Sequence, residues 1–294
     1  MNPQEYVKSY TRSSGSNFYY SFLLLPKAKR EAMFSIYAFC KYTDDLVDEE
    51  QPGGNKQQLL NNWRGEIRQM YEGRPIHPIT QSLAASLDKF PIPQKYFDDL
   101  VDGIEMDLKK NRYVTFDELL QYCYRVASAV GLMSIEIFGY SCERTRQYAR
   151  HLGVAFQLTN IIRDIKSDAE RDRIYIPLED LNRFSYTECD LLNSHYSRAF
   201  INLMSFQVLR AKEYFQRASR TLPLIDKSTM VTAEIMSHIY FRILEKIEHV
   251  HYNVFKEKIS LSKSVKIGIA LSAYLLSRVD SMFGSQTQEK YGNI

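Results

Sequence analysis

Residues 152–168 read LGVAFQLTNIIRDIKSD. Leu152, Val154, Phe156, Leu158, Ile161 and Ile162 supply the apolar content of a buried helix. Gln157, Asn160 and Asp164 fall at i, i+3 and i+7 on one face, with Asp168 four residues further on. An amide or a carboxylate buried without a partner is costly. A helix that lines up two of each among core residues must therefore turn that face toward a polar cavity. The stretch predicts a long helix from about Glu143 to Lys166, and with it an all-α interior built around a site.

A second acidic stretch repeats the device. Residues 44–50 read DDLVDEE, with Asp44 and Asp48 four apart. They follow a core-facing stripe of Met33, Ile36, Tyr37 and Cys40 at i, i+3, i+4 and i+7. The helix spans residues 27–49 and ends at Pro52-Gly53-Gly54. Carboxylates at i and i+4 repel on an isolated helix. Facing pairs are relieved by a divalent cation, and Mg²⁺ suits them because it binds through one or two carboxylates plus substrate phosphates. Asp102 and Asp107, five apart in DGIEMD, fit a cavity wall and a solvated face equally.

The remaining chain reads as helix with sparse punctuation. A helix runs from about Gln57 to Tyr71, and Gly73, Pro75 and Pro78 mark the loop after it. Pro91 and Pro93 open another helix. Thr115 and Glu118 have capping-box spacing and begin a long apolar helix through Phe138, stopped by Gly139. About three or four further helices follow, broken near Pro177, Pro223 and Ser260. The 294 residues hold only 12 Gly and 9 Pro, well under the roughly 12% of average usage, which argues against a turn-rich β fold. No repeat and no linker-like composition shift divides the chain, so residues 1–294 read as one domain.

Charge and cysteines exclude several classes. A net charge of +3, from 38 basic and 35 acidic residues, is too weak for nucleic-acid binding. Cys40, Cys123, Cys142 and Cys189 form no CxxC pair, so neither a zinc site nor a disulfide framework is expected. His238, His249 and His251 lack a metal-binding partner and read as structural or exposed. The N-terminus has no apolar signal region. The apolar run from Ile267 to Leu276 is well short of the ~20 residues a membrane span needs. A cytoplasmic protein with peripheral membrane contact is expected.

Several motifs together resemble the squalene/phytoene synthase family of head-to-head prenyl transferases, over about Ser14 to Lys266. They are the aspartate-rich helix Tyr37–Glu49, the signature Tyr122–Gly131 (YCYRVASAVG), the Gln157–Asp168 run, and Arg173–Pro177 (RIYIP). The stretch Ser14–Ser21 resembles the segment that contacts diphosphate in the family. Within the family, FYYSF and DGIEMD look most like bacterial presqualene diphosphate synthases of the hopanoid route. Two positions depart from the pattern: Lys41 replaces an arginine, which loses the bidentate fork for phosphate, and Ser128 replaces a glycine, which is expected to narrow the cavity.

The resemblance implies a single-domain isoprenoid-synthase-type helical bundle with a central apolar cavity. It implies Mg²⁺, with Mn²⁺ as a substitute, held by Asp44, Asp48, Asn160, Asp164 and Asp168. Ser16, Asn17, Lys41, Arg163 and Arg173 would bind diphosphate. Tyr37, Tyr122 and Tyr240 would flank an allyl cation, with Gln157 facing the same cavity. The implied reaction joins two farnesyl diphosphates into presqualene diphosphate without NADPH, for a downstream squalene-forming enzyme. The alternatives are phytoene from two C20 diphosphates, or squalene and dehydrosqualene. A silent lipid- or partner-binding scaffold stands further off because all four motif aspartates are present, and a head-to-tail elongase or terpene cyclase because the QLTNIIRD…RIYIP run favours head-to-head chemistry.

Overall fold

The computed structural model describes residues 2–13, 18–48 and 55–272. Helix α1 (Pro3–Ser13) and the short α2 (Phe18–Phe22) precede α3 (Lys27–Asp48). Then come α4 (Lys56–Tyr71), α5 (Pro78–Leu87), α6 (Gln94–Lys109), α7 (Phe116–Cys123) and α8 (Ala129–Phe138). The chain continues through α9 (Arg144–Ala169), α10 (Leu178–Arg183), α11 (Glu188–Leu192), α12 (Arg198–Thr221) and α13 (Val231–His249), and residues 263–272 are again helical. Among the described residues the one β pairing is an isolated parallel bridge between Arg112 and Ile174. No helix among them is long and apolar enough to cross a membrane.

Helix α9 forms the axis. It packs along α12 on one side and along α8 and α13 on others, while α3 contacts α1, α5, α6 and α8. Its apolar residues Leu152, Val154, Leu158, Ile161 and Ile162 are buried, which leaves the amide-and-acid face turned inward.

Local differences from the sequence expectations have simple causes. Pro78 does not mark a loop but stands at the first position of α5, with the His77 ring accepting the Ile79 amide at 3.2 Å. A proline costs nothing there because that N–H has no helical partner. Thr115 does accept the Glu118 amide at 3.3 Å. The Glu118 carboxylate, however, accepts the Val114 amide at 2.9 Å and pairs with Lys110, so the capping box is half made. The long apolar helix ends at Gly139 (φ +79°) as expected, but Tyr124–Ser128 form a π turn between α7 and α8. Such a turn inserts a residue into the helical ladder and often sits at a functional site.

The small residues of the signature pack helices together. A Cβ on Gly153 would lie 2.6 Å from the Ser128 Cα, and one on Gly131 would lie 2.8 Å from the Ala149 carbonyl oxygen. Ser128 is fully buried and donates to the Arg150 carbonyl at 2.8 Å. Contrary to expectation it does not narrow the cavity; it fastens the π turn to α9.

Candidate active site

The C-terminal ends of α3 and α9 bring the two acid pairs to one region, and α6 and the Arg171–Tyr175 segment complete it. Asp48 accepts Arg173 at 2.8 Å and Arg171 at 2.6 Å, one arginine on each carboxylate oxygen. Asp164 is clasped in bidentate fashion by its own neighbour Arg163. Lys41 pairs with Asp45, which also accepts the Tyr10 hydroxyl at 2.6 Å, and its ammonium lies 3.9 Å from Asp44. Thus Lys41, Arg163 and Arg173, expected from the resemblance to hold diphosphate, rest here on the site's carboxylates.

The other acids are short of positive charge. Asp44 faces the open cavity but lies deep among the helices. Desolvation, then repulsion from Asp48, pushes its carboxyl up to about 6. Asp168 is raised to about 7 by burial and by Asp164. The Asn160 side-chain oxygen is buried with no hydrogen-bond partner. Among the described residues no three His, Cys, Asp or Glu side chains converge to hold an ion alone. The donor set still fits Mg²⁺, because that ion takes one or two carboxylates and completes its shell with water and phosphate oxygens. The orphaned Asn160 oxygen and the acids raised by burial and by neighbouring carboxylates are the features such an ion would satisfy.

The sequence left Asp102 and Asp107 open, and the structure separates them. Asp102 points outward to Arg64 at 2.6 Å and Arg125 at 3.2 Å. Asp107 points inward and accepts the hydroxyls of Tyr122 and Tyr175, each at 2.9 Å. Burial raises its carboxyl to about 6 despite the opposing pull of Arg173. The Tyr122 and Tyr175 rings stack with centroids 5.1 Å apart. Tyr122 therefore presents a hydroxyl already committed to Asp107, whereas Tyr37 and Tyr240 face the cavity more directly.

The cavity has two parts. An apolar tunnel of about 200 Å³ lies between α3, α8, α9 and α13, walled by residues such as Met33, Ile36, Val130, Phe138, Phe156 and Met236. It opens into a polar mouth of about 610 Å³ that includes Lys41, Asp44, Arg163, Lys258 and Lys266. Tyr37, Cys40, Val126, Gln157, Asn160 and Tyr240 line both. The Tyr240 ring lies 4.4 Å from that of Phe156. Gln157 accepts from the Asn160 amide at 3.4 Å. His238, His249 and His251 are exposed and away from it. Ser16 and Asn17 lie outside the described residues.

Sequence reasoning missed Tyr175 as an Asp107 partner and the two mouth lysines. Lys266 is only 7% exposed. Burial and the neighbouring Arg163 lower its ammonium pKa. The signal was present in KEKISLSKSVK, residues 256–266, a lysine cluster adjoining α13 whose inward members only the fold distinguishes.

An all-α bundle with an acid- and base-ringed mouth over an apolar tunnel defines the isoprenoid-synthase class of fold. The squalene/phytoene synthase family profile matches residues 11–265. A phytoene synthase of Arthrospira platensis is 36% identical over 94% of this chain and 93% of its own length. A 15-cis-phytoene synthase of Synechocystis is 37% identical over 94% and 85%. Among solved structures, a dehydrosqualene synthase in complex with ligand superposes with TM-score 0.85 at 29% identity, over 94% of this chain and 97% of that one. The squalene synthase HpnC of Alicyclobacillus acidocaldarius gives 0.79 at 27%, over 85% and 95%. The chain belongs to the squalene/phytoene synthase family, and is a prenyltransferase-type enzyme acting on two prenyl diphosphates.

Proposed function

We propose that the enzyme joins two geranylgeranyl diphosphates head to head, on the way to phytoene. The observation that carries the reading is the bipartite cavity: one end is walled mainly by apolar side chains and suits a hydrocarbon chain, and the other carries acids and bases that suit an anion with its counter-ions. The C20 substrate is favoured over farnesyl diphosphate by the phytoene synthases that match at 36–37% identity over nearly the full chain. The presqualene diphosphate reading from farnesyl diphosphate stands second, supported by the likeness to HpnC. In either case all of residues 1–294 are taken to serve one catalytic unit.

Arg163, Arg173, Lys41, Lys258 and Lys266 would receive diphosphate oxygens, with Ser16 and Asn17 adding contacts as the resemblance implies. Arginine forks and ammonium groups bind such anions through charge-assisted hydrogen bonds. Asp44, Asp48, Asn160, Asp164 and Asp168 would hold Mg²⁺ or Mn²⁺. A cation held by these residues would supply Lewis-acid neutralisation of the diphosphate leaving group.

When the C–O bond of the first substrate breaks, the electron pair leaves with diphosphate and an allyl cation remains. The tunnel keeps water away, and the Tyr37 and Tyr240 faces offer electrostatic support. The double bond of the second chain attacks, and loss of a proton closes a cyclopropane. The released diphosphate is the base at hand. No side-chain nucleophile is required: burial, then Asp44, push the Cys40 thiol up to about 12, which keeps it protonated. No reductant enters this step, so NADPH is not needed. For release of an apolar product we propose peripheral membrane contact near the mouth, where Val265, Ile267 and Leu271 are exposed.

Incubation of the purified protein with Mg²⁺ and each prenyl diphosphate, with and without NADPH, tests the reading. A C40 product formed without NADPH is expected: the cyclopropyl diphosphate, or phytoene once that remaining diphosphate also leaves and a second proton is lost. Turnover of farnesyl diphosphate alone would overturn the C20 assignment.

A further inference from the structure

The tunnel carries a ruler on one helix. Val126, Val130, Ser134 and Phe138 follow at four-residue steps along the π turn and α8, and all line the apolar cavity. Val126 also lines the polar mouth, so the row runs from the mouth inward. Each step advances about 6 Å at the helical rise, comparable to the length one isoprene unit adds to an extended chain. The partner helix α9 runs the opposite way, from Tyr148 and Ala149 at depth to Gln157 and Asn160 at the mouth. Phe138 is 2% exposed and ends the row. Its carbonyl accepts Lys29 at 2.7 Å, which pins that end of α8 to α3.

Ser134 is the short step in this row. Its hydroxyl donates to the Val130 carbonyl of its own helix at 2.8 Å, the back-bonding serine adopts in a helix. The hydroxyl is thereby spent, and Ser134 offers the cavity a notch without a hydrogen bond. We propose that Ser134 is a specificity-determining residue: the space left by its small side chain, one step short of Phe138, admits the last isoprene unit of the longer chain. This rests on the geranylgeranyl reading above and assigns chain-length choice to one position.

The test uses Ser134→Leu and Ser134→Ala in the full-length enzyme. Two readouts are taken: the kcat/KM ratio for geranylgeranyl against farnesyl diphosphate, and binding of their unreactive thiodiphosphate analogues. One methylene in an apolar pocket discriminates by roughly 10- to 200-fold. S134L is expected to lower the C20:C15 ratio at least about 10-fold, and to weaken the C20 analogue while sparing the C15 one. S134A should leave both within about twofold, because the hydroxyl bonds only its own helix. An unchanged ratio in folded S134L, or a large loss in S134A, would overturn the proposal. Should S134L fail to fold, Ser134→Val is scored in its place by the same ratio. Wild-type enzyme that accepts only farnesyl diphosphate would refute the phytoene reading and the proposal with it, whereas an unchanged ratio in folded S134L with C20 turnover intact would refute the Ser134 assignment alone.

Discussion

The mouth of the cavity and its deep half share walls from α3, α9 and α13, yet they are built on opposite principles. At the mouth, charges meet charges: Arg171 and Arg173 hold Asp48, Arg163 holds Asp164, and burial together with a neighbouring carboxylate raises Asp44 (beside Asp48) and Asp168 (beside Asp164). In the deep half, Gly131 and Gly153 bring backbones into contact, and the side chains that remain define a shape. The difference teaches that mouth residues are placed for a ligand at some expense to the fold, while tunnel residues serve the fold first and the ligand by the space they leave.

That contrast can be broken most sharply at the acids. Asp48→Ala and Asp164→Ala are each expected to lower kcat by about a thousandfold or more, the scale of losing a preorganised electrostatic contact. The circular dichroism spectrum should stay unchanged. Near-normal turnover in either variant would remove the metal assignment. Next in size is Lys266→Met. Losing this buried ammonium should raise KM for the prenyl diphosphate about tenfold, as expected for a charge-assisted contact worth roughly 1.5 kcal/mol. Stability should hold or rise, because the lysine sits beside Arg163 at a cost to its charged form. A fall in melting temperature with an unchanged KM would make Lys266 a structural residue. The tunnel should answer in the other currency. Gly153→Ala places a methyl against the Ser128 backbone, which has little room to retreat. A loss of about 1–3 kcal/mol is expected in urea unfolding, with the mouth's affinity for diphosphate unchanged.

How far this was legible beforehand depended on whether a residue's role is local. The α9 pattern was readable because amides and acids on an apolar helix contradict burial unless a cavity exists, and helix periodicity alone shows that they share a face. Gly139 as a stop and Pro177 before α10 were readable because backbone chemistry restricts them. Asp102 and Asp107 were not separable: both are acids on α6, and only the path of Arg64 on one side and of Tyr122 and Tyr175 on the other decides which is inward. The Ser128 expectation failed for a similar reason. A side chain near a cavity in sequence can face the neighbouring helix, and here it does. The partners adopted by Lys41 and Arg163 were also hidden, since residue type says that a guanidinium seeks an anion but not which one.

Asp107 supplies the smallest and most discriminating prediction, because it belongs to the mouth by charge and to the interior by packing. Its carboxyl titrates near 6 in the folded protein, raised chiefly by burial from an ordinary value of 3.8. Between those two values the folded state binds more protons than the unfolded one, so stability falls as pH rises through this window. Asp44 and Asp168 act in the same sense. The half-buried His77 and His151, whose pKa values are lowered mainly by burial, pull the other way. A difference measurement isolates the carboxylate. Asp107→Asn keeps an acceptor for one tyrosine hydroxyl and carries no charge. Relative to wild type, the Asn variant should gain on the order of 1–2 kcal/mol between pH 4.5 and pH 7.5, given that one unit is about 1.4 kcal/mol. Urea midpoints at both pH values, without divalent cation, give the comparison. Adding Mg²⁺ should stabilise wild type more at pH 7.5 than at pH 5.5, since carboxylates must be ionised to bind it. A pH-independent difference between the two proteins would mean that Asp107 stays ionised throughout, and that the two tyrosine hydroxyls and Arg173 hold its charge as easily as water does.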